Sequence, residues 1–298
     1  MKITKYLIVL LSIILIYSCN KDDGSIEPYD HAGQAVKDKE ILQEFLNTHY
    51  YTPPILGDHF GKIDTIENGE TPLLEQVISE DIEYGDVDYT VYYLNSIEGI
   101  NASPIKVDSA LVNYKGRLLY INKKTENETA IEYEEKKVFD KNTHYTFWAN
   151  LYGGVIYGWS ILLPKFKSGE NTSIADAPLS FDQTGKGVIF IPSGLAYRNS
   201  ATANIPANSP LVFHIELAMT KRSDQDNDGI KSIFEDTDED NDLTNDDTDS
   251  DNTVDFLDAD DDNDRLLTKY EYADPNGDGN PEDAVDTDND GIPDYLDN

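Results

Sequence analysis

Cysteine occurs once in these 298 residues, at Cys19, so the fold cannot rely on disulfides, even in an oxidising compartment. Histidine is nearly as scarce. His31, His49, His59, His144 and His214 are scattered without ligand spacing, which leaves no transition-metal centre to propose. Positive charge is short as well: 23 Lys and Arg face 58 Asp and Glu, a formal net charge of -35. Like charge opposes approach to phosphate, so no nucleic acid is expected as a partner. Long apolar runs are missing except at 6–17, behind Lys2 and Lys5. That run is too short and too near the terminus for a membrane span but suits the core of an export signal. The length allows one or two ordinary domains plus extensions.

Ile16-Tyr17-Ser18-Cys19 resembles a bacterial lipobox. The resemblance implies removal of residues 1–18 and diacylation of Cys19 as the first mature residue, which gives stable membrane attachment through a lipid anchor. Asn20-Lys21-Asp22-Asp23 resembles the export signal of some outer-membrane surface lipoproteins. The expected location is the outer membrane, surface-exposed or on its periplasmic face. Residues 19–35 are polar, include Pro28 and Gly33, and read as a tether. Within an N-terminal extension, 36–75, Ile41, Leu42, Phe45 and Leu46 recur at helical spacing. They predict a short amphipathic helix over 38–49, closed by Pro53-Pro54 and packed on the domain that follows.

From 76 to 222 the pattern changes to strand-like alternation, at 89–93, 110–118, 145–151, 188–191 and 211–219. One helical candidate, 158–167, interrupts it, and Pro164 should leave that helix short or distorted. Many strands around one short helix predict an α+β domain, an antiparallel sheet wrapped on the helix.

The same region carries V-N-Y-K-G-R-L at 112–118, F-D at 139–140, V-I-Y-G-W at 155–159, G-E at 169–170, I-P-S-G-L-A-Y at 191–197 and I-P-A-N-S-P-L-V-F-H-I-E-L at 205–217. In order and content these pieces resemble the FKBP-type peptidyl-prolyl cis-trans isomerases. The resemblance implies an apolar cleft of Tyr114, Phe139, Asp140, Val155, Ile156, Trp159, Tyr197, Ile205 and Phe213. Trp159 would lie under the proline ring, Tyr197 and the Ile156 amide would bond substrate carbonyls, and Asp140 would be the acid near the twisting bond. Phe147 or Trp148 would add a wall.

Such a cleft needs no nucleophile and no cofactor for catalysis. Rotation of an X-Pro amide crosses a barrier of about 18–20 kcal/mol because it destroys C–N resonance. The twisted amide has lost charge separation, so a hollow that strips away water favours it over the planar ground state. The partners implied are proline-containing polypeptide clients. Three departures from the family pattern stand beside the cleft: insertions at 120–138 and 176–187, and Arg198 where a glycine commonly follows the A-Y pair. They leave open a non-catalytic surface binding module that holds proline-containing partners.

Past Arg222 the composition turns acidic, and only Lys231, Arg265 and Lys269 oppose the acids of 223–298. Closely spaced carboxylates on a turning backbone supply the six to eight oxygens that calcium takes. Asp224, Asp226, Asp228 and Glu235 hold positions 1, 3, 5 and 12 of such a loop. Asp247, Asp249, Asp251 and Asp258 repeat it, as do Asp260, Asp262, Asp264 and Glu271, and then Asp286, Asp288, Asp290 and Asp297. Weaker copies begin at Asp236, with Asp238 and Asp240, and at Asp274. Starts 11 to 14 residues apart mark an array. The stretch 286–297, D-T-D-N-D-G-I-P-D-Y-L-D, resembles thrombospondin type 3 repeats, which implies structural Ca2+ in an irregular tail. The expectation is a calcium-rigidified stalk, extended by self-repulsion when no cation is bound.

Overall fold

The computed structural model describes residues 29–125, 128–132 and 138–298; the leader and Cys19 lie outside them. Helix α1, His31–Thr48, leads into strands β1, His49–Thr52, and β2, Lys62–Thr65. It starts earlier than the apolar spacing predicts and takes in part of the expected tether. The reason is that Ala35, one turn before the apolar stripe, is buried, so the docked face extends over a small residue.

Strands β3, Ile78–Glu83, β4, Asp88–Ile97, and β5, Ser109–Leu118, come next. A hairpin of β6, Tyr120–Thr125, and β7, Glu128–Glu132, forms the first insertion, followed by β8, Val138–Asn150. Helix α2, Tyr157–Leu162, passes at once into a 3-10 turn, Leu163–Lys165, with Pro164 at its start. Pro164 lacks the donor that another α-helical turn requires. Strands β9, Glu170–Asn171, β10, Phe181–Asp182, β11, Gly185–Ile191, and β12, Leu211–Lys221, complete the domain.

Six strands form one antiparallel sheet in the order β3-β4-β11-β12-β5-β8. Side chains alternate between its faces along each strand. Ile189 and Ile191 of β11 join Val112, Phe213 and Ile215 under α2, whereas Val188 and Phe190 join Tyr92 and Val212 under α1. The domain thus has two apolar layers. Leu42, Phe45 and Leu46 of α1 are fully covered on the second face, as the helical spacing requires.

Residues 223–298 hold short 3-10 turns and, among the described residues, neither α-helix nor strand. They do not stand off as a stalk. Buried Asp108 pairs with Arg222 and accepts from the Ser223 amide, and Gln225 donates to the Val107 carbonyl. Leu243 and Phe256 pack with Val107 and Ile105, and Tyr152 meets Phe256 edge-on at 5.3 Å. Leu243 and Phe256 thus find their burial against the domain, while Phe234, Leu266, Tyr270 and Ile292 stay exposed. A second small cluster, Ile230, Ala273 and Tyr295, closes the tail on itself.

Candidate active site and metal-binding repeats

Register brings the sequence pieces of the cleft together. Gly116 on β5 lies between Phe213 on β12 and Asp140 on β8, and Tyr114 stands two residues back on the same face of β5. A methyl on Gly116 would lie 2.6 Å from the Phe139 ring and 2.7 Å from that of Phe213, so only glycine lets these rings close over the strand. A methyl on Gly158 would lie 2.5 Å from Ile191 Cγ2, which explains how α2 comes near enough to bring Trp159 under the same rings.

Trp159 meets Tyr114 and Phe213 at 5.1 Å between centroids and Phe147 at 6.1 Å, all near perpendicular. Phe139 meets Phe213 at 5.5 Å in the same fashion. Such edge-to-face contacts set positive ring edges against negative faces and hold the cluster rigid. Phe147 is therefore the wall, and Trp148 points outward. Trp159 is 4 % exposed, Tyr114 8 %, Phe213 5 % and Ile205 4 %, so these four form a floor. Phe139, Val155 and Ile156 are half-buried, and Asp140 and Tyr197 are exposed, so these five form a rim. The hollow is shallow.

The Tyr114 hydroxyl donates to Asp140 Oδ2 at 2.7 Å. Burial and then Asp140 push the Tyr114 phenol above its ordinary range, so it remains a donor at neutral pH and holds the carboxylate in place. Ile156 is the N-cap of α2, and the first amides of a helix lie outside its ladder, available to a ligand carbonyl. Tyr197 follows a 3-10 turn, Ser193–Leu195. Sequence reasoning missed what fixes that turn. Asp38 of α1, fully buried, accepts from the Ser193 amide and hydroxyl at 2.6 Å each and from Gln34 at 2.7 Å. Arg198 has φ +56, a region where an L side chain is strained, which accounts for glycine in the family pattern. Its guanidinium lies over Tyr84 at 4.9 Å, an attraction that offsets part of that strain.

In the tail, six loops share one backbone. Positive φ recurs at the fourth and sixth positions of every loop: 227 and 229, 239 and 241, 250 and 252, 263 and 265, 277 and 279, 289 and 291. The fifth amide donates to the third side chain, and the seventh to the fifth, in all six loops, from Asp228 to Asp226 through Ile292 to Asp290. The weaker copies at Asp236 and Asp274 therefore adopt the same turn.

Carboxylates converge as Asp224, Asp226 and Asp228, as Asp247, Asp249 and Asp251, and as Asp260, Asp262 and Asp264, each group within 4.8 Å. In the second loop Asp236 and Asp238 meet Asp246, which the spacing did not single out, while both oxygens of Asp240 already accept hydrogen bonds. Position-12 acids face their loops. Burial, then Asp226 and Asp228, push Glu235 up to about 10, and burial, then Asp262 and Asp264, push Glu271 up to about 7. Asp258 is raised by burial, then by Asp251 and Asp249, and Asp297 by desolvation, then by Asp290, Asp288 and Asp286.

One oxygen of each of Asp226, Asp228, Asp247, Asp249, Asp260 and Asp262 is buried and accepts no hydrogen bond among the described residues. An unpaired buried carboxylate is costly, and a metal ion removes that cost. Clusters of oxygen donors alone fit a hard divalent cation. Residues 224–228, 236–246, 247–258, 260–271 and 286–297 would hold it.

Residues 101–218 match the family model of the FKBP-type peptidyl-prolyl cis-trans isomerases. No curated protein matches the chain. A peptidyl-prolyl cis-trans isomerase from Pseudomonas syringae is 25% identical over 44% of this chain and 76% of its own, with a TM-score of 0.30. FkpA from Escherichia coli is 23% identical over 64% of this chain and 61% of its own, TM-score 0.33. The N-terminal domain of FKBP42 from Arabidopsis thaliana is 14% identical over 58% and 99%, TM-score 0.32. The chain thus contains an FKBP-type domain, joined to an acidic tail with metal-binding geometry.

Proposed function

We propose that the chain is a peptidyl-prolyl cis-trans isomerase of the bacterial envelope, held to the outer membrane through Cys19 and acting on exported or surface polypeptides. The observation that carries this reading is the floor of Trp159 and Tyr114, with Asp140 held at its rim by the Tyr114 hydroxyl. A proline ring laid on the indole leaves its preceding amide between Asp140, Tyr197 and the Ile156 amide. Apolar surroundings favour the twisted, less charge-separated amide, and the Ile156 amide and Tyr197 hydroxyl hold the flanking carbonyls so that one side rotates against the other.

Calcium is the ion proposed for the tail, because the clusters offer carboxylate oxygens at loop positions typical of that ion. A non-catalytic holder of proline segments is the second reading, favoured by Arg198, whose left-handed backbone stands next to Tyr197. A protease-coupled proline-peptide assay on the intact chain separates the two. The isomerase reading expects catalysis that falls at least tenfold in Asp140→Ala combined with Trp159→Phe. Full activity in that variant would reject the cleft.

A further inference from the structure

Positions 1, 3, 5 and 12 account for most of the acids in the six loops, but not for Asp261. It occupies the second position of the fourth loop, is 1 % exposed, and neither carboxylate oxygen accepts a hydrogen bond among the described residues. The side chain is aimed at the first loop. One oxygen each from Asp228, Glu235 and Asp261 lies within 4.8 Å of the others. Glu235 is 3 % exposed with both oxygens unpartnered, and Asp228 is 1 % exposed with Oδ2 unpartnered, its Oδ1 taken by the Ile230 amide at 2.8 Å.

One oxygen from each of the three thus meets the others out of water, and of their six carboxylate oxygens only Asp228 Oδ1 accepts a hydrogen bond among the described residues. Three like charges so placed repel strongly, and desolvation adds to the cost. Among the described residues no nitrogen or sulfur ligand enters the group. A donor set made of oxygen alone suits a hard divalent ion of calcium's size, which takes six to eight oxygens and completes its shell with carbonyls or water.

We propose that Asp228, Glu235 and Asp261 bind a divalent cation buried between the first and fourth repeats, a site no single loop can form. This rests on the cation-binding reading of the loops, since Asp228 and Glu235 also belong to the first. The ion ties together parts of the chain 33 residues apart, Asp228 and Asp261. Two contacts already bring the first loop back onto later ones. The Lys231 amide donates to the Gly279 carbonyl at 3.0 Å, and Ile230 packs with Ala273 and Tyr295. The cation serves as the polar counterpart of that apolar cluster, and it makes the tail a closed unit rather than a string of independent loops.

Asp261→Asn in the intact chain tests the site, because position 2 lies outside the ligand pattern of every loop. Native mass spectrometry with calcium should count one ion fewer than in the parent. Thermal melts should show the variant as stable as the parent or more so in chelator, with a calcium-induced rise several degrees smaller. An equal ion count with an equal calcium-induced rise would overturn the site. So would a variant that melts lower in chelator with its rise unchanged, the mark of a merely structural aspartate. If the parent itself binds no calcium, the loop reading fails with it; an unchanged count in the variant alone sinks only this site. Should Asp261→Asn not fold, terbium titrated into the parent and into Tyr295→Phe decides, since Tyr295 is buried within electrostatic reach of all three acids. Sensitised emission must fall in Tyr295→Phe, and unchanged emission contradicts the proposal.

Discussion

A side chain on Gly116 has nowhere to go, since the rings of Phe139 and Phe213 occupy its space. Gly116→Ala should part those rings at a cost of roughly 1–3 kcal/mol in stability, as overpacking does. Proline-peptide turnover should fall tenfold or more, and urea unfolding beside the coupled assay checks both effects. Asp38 acts at greater distance. Asp38→Ala strips two donors of Ser193 of their acceptor and should destabilise by about 2 kcal/mol or more, since hydrogen bonds to a charged group carry about 1.5–3 kcal/mol. His214 is buried, and burial, then Lys115 and Arg117, hold its imidazole well below the ordinary value. The unfolded chain therefore binds a proton that the folded chain refuses, and stability falls as pH drops below about 6.5. Between pH 6 and 5 the parent should lose up to about 1.4 kcal/mol more than His214→Asn, read from urea midpoints. Much of the cleft was legible in the sequence because Tyr114, Phe139, Asp140 and Phe213 sit on three paired strands and Trp159 on one helix, while Val155, Ile156, Tyr197 and Ile205 come from the loops between. Asp38 was not, because a lone aspartate on an amphipathic helix looks like a solvated one until its partner 155 residues away is seen.

At the scale of elements, α1 covers the face of the sheet turned away from the cleft. Phe45 is fully covered there and stacks on His49 at 4.1 Å. Phe45→Ala should cost roughly 3–5 kcal/mol, the usual figure for a buried aromatic. The denaturant midpoint should drop accordingly while the order of the cleft residues is kept. Strand alternation and Pro164 foretold the sheet and the broken α2, because those signals are local. The start of α1 at His31 was hidden, because Ala35 packs without adding to an apolar stripe. The docked tail was hidden for a related reason. Leu243, Phe256 and Tyr295 are sparse among acids, and sparse apolar residues show neither period nor partner in a sequence.

Across the whole molecule, the tail and the domain share apolar contacts and a cavity of about 940 Å³, walled by Leu151, Tyr157 and Ile161 on one side and Leu243 and Phe256 on the other. Val155 also lines that cavity while standing at the rim of the cleft. Chelating calcium should release the acidic loops to repel one another, enlarge the chain in small-angle scattering and lower turnover by loosening the segment that carries Val155. Adding sodium chloride in place of calcium should not restore the compact form, since screening supplies no ligand-bound charge. On the proposed function, the Trp159 hollow speeds rotation about X-Pro bonds. Exchange spectroscopy on a proline peptide, with the intact chain at a few per cent of the peptide concentration, measures this without a coupling protease. Cis and trans resonances should exchange far faster than the uncatalysed tens to hundreds of seconds. Peptide resonances that shift with binding while exchange stays at its uncatalysed rate would contradict the proposed function.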